Sequence, residues 1–406
     1  MAAPLPAATA DAPGTRRRHE VAEIVRAYGD AYRAQYRPTR AQRAVLRALV
    51  RCRTAALGGH LQACASCGAT RPVYHSCRNR HCGKCQSLDQ AKWRAAQRAV
   101  LLPVPYFHVV FTLPHRLNAV IRLNQRPLYN LLFRTVTETL QQFAADPKHL
   151  GAELGITAVL HTWGQQLDYH VHLHCIVTGG GLTPDRGHWL ASKQPDFLFP
   201  VRAVAAKFRG KFLAHLTHLR DTGALRLIGR CAPLHDPRQW HRWIAHLRAK
   251  KWIVYAKPPC GGPEKALDYL GRYTHRIALS NERIVAVEHG TVRFRYKDYA
   301  HGNAIKVRTL PAVEFLRRFL LHIVPRGFMR VRHYGLLANR TRVAKLTRCR
   351  ELLGVPPLAA PAPVPNASLA DTVQRLLGLD ITRCPVCGGG PMRCVEQLAP
   401  TPPDTS

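Results

Sequence analysis

Apolar positions fall at helical spacing near the start of the chain. Val21, Ile24, Val25, Tyr28 and Tyr32 share one face, Pro38 interrupts, and Val45, Leu46, Leu49 and Val50 resume it, so residues 20 to 53 read as two helices. Past residue 100 strands and helices alternate. VPYFHVVFTLP (104–114) is rich in β-branched and aromatic residues and reads as a strand, and Leu128, Leu132, Val136, Leu140 and Phe143 then mark one helical face. The stretch from Gly155 to Leu182 gives two strand-like runs around a short polar turn, the second ended by Gly179, Gly180 and Gly181. VRAVAAKFRGKFLAHL (201–216) predicts a helix and WIVYAKPP (252–259) a strand. GGPEKALDYLGRYTHR (261–276) opens like a helix, with Pro263 in the first turn and Glu264 at the positive end of the dipole. A hairpin from Arg283 to Lys297 turns at His289-Gly290.

One of these strands carries unusual chemistry. In YHVHLHCIV (169–177), alternation places Val171, Leu173, Cys175 and Val177 on one face and His170, His172 and His174 on the other. Three aligned imidazoles on a mid-sheet strand would need three separate buried partners, whereas one metal ion satisfies them together. A hydrogen-bonded or exposed histidine ladder is the plainer alternative. Neutral imidazoles would leave a divalent ion Lewis acidic enough to polarise a phosphodiester, and Mn²⁺, Mg²⁺ and Zn²⁺ all fit the sequence. A third, non-histidine ligand such as Gln165, Gln166 or Asp168 stays open.

The cysteines point to a second kind of metal. Cys64-x2-Cys67 and Cys82-x2-Cys85 are separated by fourteen residues, close to the spacing of four-thiolate zinc sites, and so short and polar a segment needs such an ion to fold. Cys77 and His81 are spare ligand candidates. Four thiolates close the shell, so this zinc is expected to be structural. The tail CPVCGGGPMRC offers Cys384, Cys387 and Cys394, half a site without a definite fourth ligand.

Composition narrows the partner. The 406 residues include 60 Lys plus Arg against 24 Asp plus Glu, a net charge of +36 that calls for a polyanion, nucleic acid ahead of a membrane surface. From Arg326 to Arg350 there are eight Lys or Arg residues and no acid, which makes Arg326, Arg330, Arg332, Arg340 and Arg342 candidate phosphate contacts and Phe328 and Tyr334 candidate stacking platforms. No apolar run approaches the length of a membrane span. The Ala/Pro-rich opening followed by Arg16, Arg17 and Arg18 lacks the order of a secretory signal and reads as a flexible basic arm of a cytoplasmic protein. No Walker A signature occurs.

In DYLGRYTHR, Tyr269 and Tyr273 lie one helical turn apart. That spacing also lines cores with aromatics. Beside a metal strand and strong positive charge, however, a tyrosine could attack phosphorus and hold DNA covalently. HVHLH, a following helix with Tyr-x3-Tyr, and SCRNRHCGKCQ in the cysteine module together resemble the HUH-type rolling-circle insertion-sequence transposases, in the two-tyrosine branch with an N-terminal zinc-binding domain. The resemblance runs from about residue 20 to about 340, through KFRGKFLAHL and FLRRFLLHIVPRGFMRVRHYGLLANR.

It implies an α+β fold, a palm of central antiparallel sheet with flanking helices beside a small zinc domain. It matches His172 and His174 to the HUH pair, with His170 an additional ligand, and Tyr269 and Tyr273 to the nucleophiles. The implied reaction is Mg²⁺- or Mn²⁺-dependent cleavage and strand transfer of single-stranded, hairpin-bearing DNA at the ends of a mobile element, through a 5′-phosphotyrosine. On this reading residues 1–19 are the arm, 20–95 the helical lead-in and zinc domain, 100–345 the catalytic domain and 346–406 a linker with the cysteine tail. A plasmid replication initiator or relaxase would share the chemistry. A zinc-containing regulator would explain the charge and cysteines but leave the histidines and tyrosines unused.

Overall fold

The computed structural model describes residues 19–258, 262, 264, 265, 271, 278–299, 301–357 and 368–401. The two leading helices form as the spacing predicts, α1 (Val21–Gln35) and α2 (Arg40–Arg51). Thr39 starts α2 by a capping box: its hydroxyl accepts from the Gln42 amide and the Gln42 side chain accepts from the Thr39 amide. A hairpin, β1 (Gly59–Cys64) and β2 (Thr70–Tyr74), and helix α3 (Gln86–Arg98) follow.

The centre of the molecule is an antiparallel sheet. Its strands β3 (Tyr106–Thr112), β4 (Glu153–Trp163), β5 (Tyr169–Leu182), β7 (Val254–Lys257) and β11 (Val331–Gly335) are ordered β11-β4-β5-β3-β7, with the short β6 (Trp189–Ala191) paired to the end of β5. Period-two alternation decides its two faces. Phe107, Val109 and Phe111 of β3, Ile156, Ala158 and Leu160 of β4, and Val171, Leu173 and Cys175 of β5 are buried in one core. They pack under α5 (Gln125–Ala145), α6 (Val201–Asp221) and α7 (Pro237–Ala249), which contribute Leu132, Val136, Phe208, Phe212 and Trp240. Phe111 is fully buried and meets Phe208 edge to face at 5.1 Å, so Phe111→Ala would cost about 3–5 kcal/mol.

The three glycines of β5 do not end the strand as the sequence suggests; they extend it. A Cβ on Gly180 would lie 2.6 Å from the Leu190 carbonyl of β6, and one on Gly181 2.5 Å from the Glu153 carbonyl of β4. Glycine here is what lets neighbouring strands close in on the centre of the sheet.

The opposite face divides into two parts. Toward the glycine end, Tyr106, Val159 and Ile176 are covered by Leu336, Leu337 and, from α9 (Arg342–Leu352), Leu346 and Cys349. Toward the other end that face carries histidines. A further core joins α1 and α2 to α8 (Ala312–Leu321) and to the sheet β8 (Ile284–Glu288), β9 (Thr291–Asp298) and β10 (Ala304–Pro311), around Ile24, Leu46, Phe294, Phe315 and Phe319. The expected hairpin turn at His289-Gly290 is present between β8 and β9. In the tail, α10 (Leu369–Leu377) leans on α3, and β12 (Met392–Leu398) adds to β1. No helix among the described residues is long and apolar enough to cross a membrane.

Candidate metal centres and nucleic-acid interface

Register builds the histidine site. His161 of β4 stands directly opposite His172 of β5, and Val159 opposite His174, so His161, His172 and His174 emerge on the same face. One ligating nitrogen from each lies within 4.8 Å of the others, and all three residues are buried. That span is only slightly more than twice a metal–nitrogen bond of about 2.1 Å. The third member is therefore a histidine on the neighbouring strand, which the sequence reading passed over in favour of Gln165, Gln166 or Asp168. Gln165 donates to the Tyr299 hydroxyl at 3.1 Å, and Gln166 accepts from Arg308. The signal for His161 was available: in ITAVLHTW it alternates with Ala158 and Leu160 of the core face.

His170 falls outside this group. Its ring lies against His115, centroids 5.1 Å apart, and is half-buried. Its backbone carbonyl contributes instead, because His172 Nδ1 lies 2.9 Å from it and so carries the proton, leaving Nε2 as the free lone pair. On the other side, His108 Nε2 lies 2.9 Å from His174 Nδ1, a partner that orients the ring. Trp163 stacks on His161 with centroids 4.5 Å apart.

Burial keeps these rings neutral. Loss of solvent, with His170 nearby, pushes His172 down to about 3, and loss of solvent together with Lys257 does the same to His108. His174 is driven well below its ordinary value by burial and by the four imidazoles around it, His161, His172, His108 and His170. With His172 and His174 held neutral, these two donors need no deprotonation to accept a cation. Buried, converging and held in orientation by His108 and the His170 carbonyl, the three histidines fit a divalent ion.

The cysteines form two quartets where one was expected: Cys52, Cys77, Cys82 and Cys85, and separately Cys64, Cys67, Cys384 and Cys387. The reason is the hairpin between them. Cys64 and Cys67 sit at its turn, while Cys77, Cys82 and Cys85 lie beyond its open end. The strand between, β2, is five residues long at about 3.3 Å per step, so no single ion could bridge Cys67 to Cys82. Cys52, just past α2, fills the vacancy, with its Sγ 3.4 Å from that of Cys85 and 3.5 Å from that of Cys82. His81 joins neither quartet; it is buried, with its Nδ1 3.2 Å from Asn79 Oδ1, and is pushed down to about 3 by burial and by Arg330. Cys394 is exposed on β12 and also stands apart. The amides of Gly389 and Gly390 hold the Cys387 thiol down at about 6, which favours the thiolate.

The basic segment serves two purposes. Arg326 and Arg340 are exposed. Arg332 instead packs its guanidinium over Phe133 and Phe328, 4.2 and 5.0 Å from the ring centres, and donates to Asn130 at 2.6 Å. Phe328 is buried against Tyr129, which removes it as a stacking platform; Tyr334 is half-buried. Arg342 is half-buried at the start of α9. Arg330 faces a cleft of about 460 Å³ between the zinc module and this segment, where Arg78 and Arg80 join it against the single carboxylate of Asp89. Burial beside Arg80 lowers Arg330 to about 10, an electrostatic tension that an anion would relieve. In the sequence Arg78 and Arg80 already stand out as cysteine-module arginines suited to phosphate contact.

Tyr269 and Tyr273 lie outside the described residues. Their described neighbours are tied to α3: Arg98 pairs with Glu264 at 3.5 Å, and the Gln90 side chain donates to the Gly271 carbonyl.

Three buried, converging histidines on an antiparallel sheet, two cysteine quartets and a strong basic bias are the marks of a metal-using protein with a nucleic-acid partner. Residues 155–345 match the family described as "Putative transposase", and residues 24–113 match the "Transposase zinc-binding domain". The chain is 51% identical over 381 residues to the "Putative transposase y4qJ" of Sinorhizobium fredii (strain NBRC 101917 / NGR234), covering 93% of this chain and 95% of that protein. It is 29% identical over 343 residues to the "Transposase for insertion sequence element IS801" of Pseudomonas savastanoi pv. phaseolicola, covering 84% and 80%. A solved structure of the conjugative relaxase TrwC with oriT DNA and bound metal overlaps 41% of this chain and 70% of that one at 18% identity, with a TM-score of 0.24, too slight a likeness to carry weight. The chain belongs to the IS91-type insertion-sequence transposases, which carry an N-terminal zinc-binding domain.

Proposed function

We propose that this transposase cleaves and rejoins single-stranded DNA at the ends of its element, with Tyr269 or Tyr273 as nucleophile and a divalent ion held by His161, His172 and His174. The observation that supports this most is the convergence of three buried imidazoles on one face of the central sheet. An ion bound there would supply Lewis acidity toward the scissile phosphate. Mn²⁺ and Mg²⁺ are the candidates, and of these two a nitrogen donor set favours Mn²⁺.

The chain's own groups do the remaining work. His108 and the His170 carbonyl fix the ligand rings, and Trp163 closes one side of the site. Arg78, Arg80 and Arg330 hold the backbone of the strand. On α3, Arg98 pairs with Glu264 and Gln90 donates to the Gly271 carbonyl. The tyrosine oxygen bonds to phosphorus as the bond to the 3′-oxygen breaks; the phenol gives up its proton, and the departing oxygen gains one to become a 3′-hydroxyl. The 5′-phosphotyrosine conserves the bond energy, so strand transfer needs no nucleotide cofactor. Two tyrosines let one strand be released while another is held. The reaction belongs in the cytoplasm, where the cysteines stay reduced and free to bind metal.

The test uses labelled single-stranded and hairpin oligonucleotides from the element's ends, scored for covalent adducts. Adducts should form with Mn²⁺, vanish in excess chelator and vanish in the Tyr269→Phe, Tyr273→Phe double variant. Adducts from that double variant, or full cleavage under chelation, would overturn the proposal.

A further inference from the structure

We infer that the C-terminal tail supplies half of a second tetrathiolate zinc site, with Cys384 and Cys387 completing a closed centre begun by Cys64 and Cys67. The matched zinc-binding region ends at residue 113 and the matched transposase region at 345, so the tail lies outside both.

The two half-sites are built alike. Each reads Cys-x2-Cys-Gly. In the first, the amides of Ser66 and Cys67 point at Cys64 Sγ, each at 3.4 Å; in the second, the Val386 amide points at Cys384 Sγ, also at 3.4 Å. The glycine amide returns to the first cysteine's carbonyl in both, Gly68 to Cys64 at 3.1 Å and Gly388 to Cys384 at 3.0 Å. Those glycines have φ of 70° and 71°, a left-handed conformation open to glycine. The first cysteine's amide is also used alike, Cys64 to the Ala69 carbonyl and Cys384 to that of Gly390, both at 2.9 Å. Two matching turns that aim amides at sulfur are shaped to hold thiolates.

Distances identify the shared occupant. Cys64 Sγ lies 3.7 Å from Cys387 Sγ, and Cys67 Sγ 3.8 Å from Cys384 Sγ. Tetrahedral zinc with Zn–S bonds of about 2.3 Å places its sulfurs about 3.8 Å apart, whereas a disulfide would bring them to about 2.05 Å. All four sulfurs lie within 4.8 Å of one another. Four thiolates leave no open position, so the ion is structural.

The tail has little else to hold it. Most of β12 is exposed, and of α10 only Val373 is buried. Yet β12 pairs with β1 along its whole length, Gly59 opposite Leu398 and Cys64 opposite Met392, and α10 rests on α3. A segment without a core of its own needs such a staple. Through α3 the staple also reaches the helix that braces Glu264 and Gly271.

The test is ¹¹³Cd NMR of the full-length reduced protein loaded with ¹¹³Cd²⁺, because tetrathiolate cadmium resonates far from nitrogen-ligated cadmium. Two tetrathiolate signals are expected. The Cys384→Ser, Cys387→Ser double variant should lose one and keep the other, with one thiolate-bound ion fewer per chain by elemental analysis. Cys394→Ser should keep both, and so serves as the control. A chain ending at residue 357 should show one signal even if the serine variant fails to fold. A single tetrathiolate signal in the unaltered protein, two signals that both survive loss of the tail, or loss of one in Cys394→Ser would each overturn the assignment.

Discussion

His161→Ala separates the ligand set in the structure from the one a single strand suggests. His161, His172 and His174 converge, whereas His170 is not of that group, its ring standing between those of His172 at 4.9 Å and His115 at 5.1 Å. A four-ligand structural zinc site is worth roughly 10–16 kcal/mol, or about 3 kcal/mol for each ligand, so removing one imidazole should weaken the ion by roughly 100-fold. His170→Ala keeps the carbonyl that His172 uses and should cost no more than a few-fold. His108→Ala removes an orienting partner and should fall between them, about 10- to 100-fold. Mn²⁺ titration followed by electron paramagnetic resonance reads these affinities, and His161→Asn repeats the first with less lost volume. Thermal unfolding in chelator shows that each variant folds. Equal losses for His170→Ala and His161→Ala, or tight binding by His161→Ala, would refute the three-histidine assignment.

Three further outcomes follow from other parts of the molecule. Arg78→Asn, chosen because Arg78 has φ of 48° and asparagine tolerates that conformation, should weaken DNA binding several-fold and lower the slope of log affinity against log salt by about 0.7 to 0.9; an unchanged slope would remove Arg78 from the phosphate track. Glu314 is held at about 2, below its ordinary 4.5, by bonds from Arg317 and Arg318, so its contribution is present above pH 4.5 and is lost as the pH falls toward 2. Glu314→Gln should therefore melt earlier than the unaltered protein above pH 4.5, with the gap closing below it; a gap independent of pH would mean that packing, not charge, is what Glu314 provides. Gly180→Val should prevent soluble expression, because its side chain would meet the Leu190 carbonyl and the Trp189 ring; a stable variant would show that β6 can detach without cost.

What was legible in the sequence was whatever depends on neighbours along the chain. The helical spacing of α1, α2 and α5, the β-branched and aromatic run of β3 and the alternation in β5 each belong to one segment alone, and the elements appear where those signals put them. His172 and His174 were legible for the same reason. His161 was not, because its role depends on the register of β4 against β5, and register is a contact between segments. The basic segment shows the converse error. Counting charge from Arg326 to Arg350 treats each arginine as solvated, but Arg332 spends its guanidinium on the faces of Phe133 and Phe328. Arginine is amphipathic enough to serve as core packing, and charge counts do not register that use.

The cysteines make the same point more severely, because in them a correct chemical inference led to an incorrect grouping. Spacing alone links Cys64-x2-Cys67 to Cys82-x2-Cys85, and such a link requires the fourteen residues between to fold back on themselves. Instead they hold β2, one arm of an extended hairpin whose turn carries Cys64 and Cys67, and an extended hairpin holds its turn away from its ends. Each half of the expected site must then find its complement elsewhere. Cys82 and Cys85 find Cys52 and Cys77 next to them in the module, whereas Cys67 meets Cys384 from 317 positions away. Closing a loop of that length costs only about 0.6 kcal/mol more for each doubling, so a strong metal bond can join the two ends of a chain almost as readily as two nearby turns. The order of thiols along a sequence is therefore a weak guide to their grouping, and the strand that separates them is a better one.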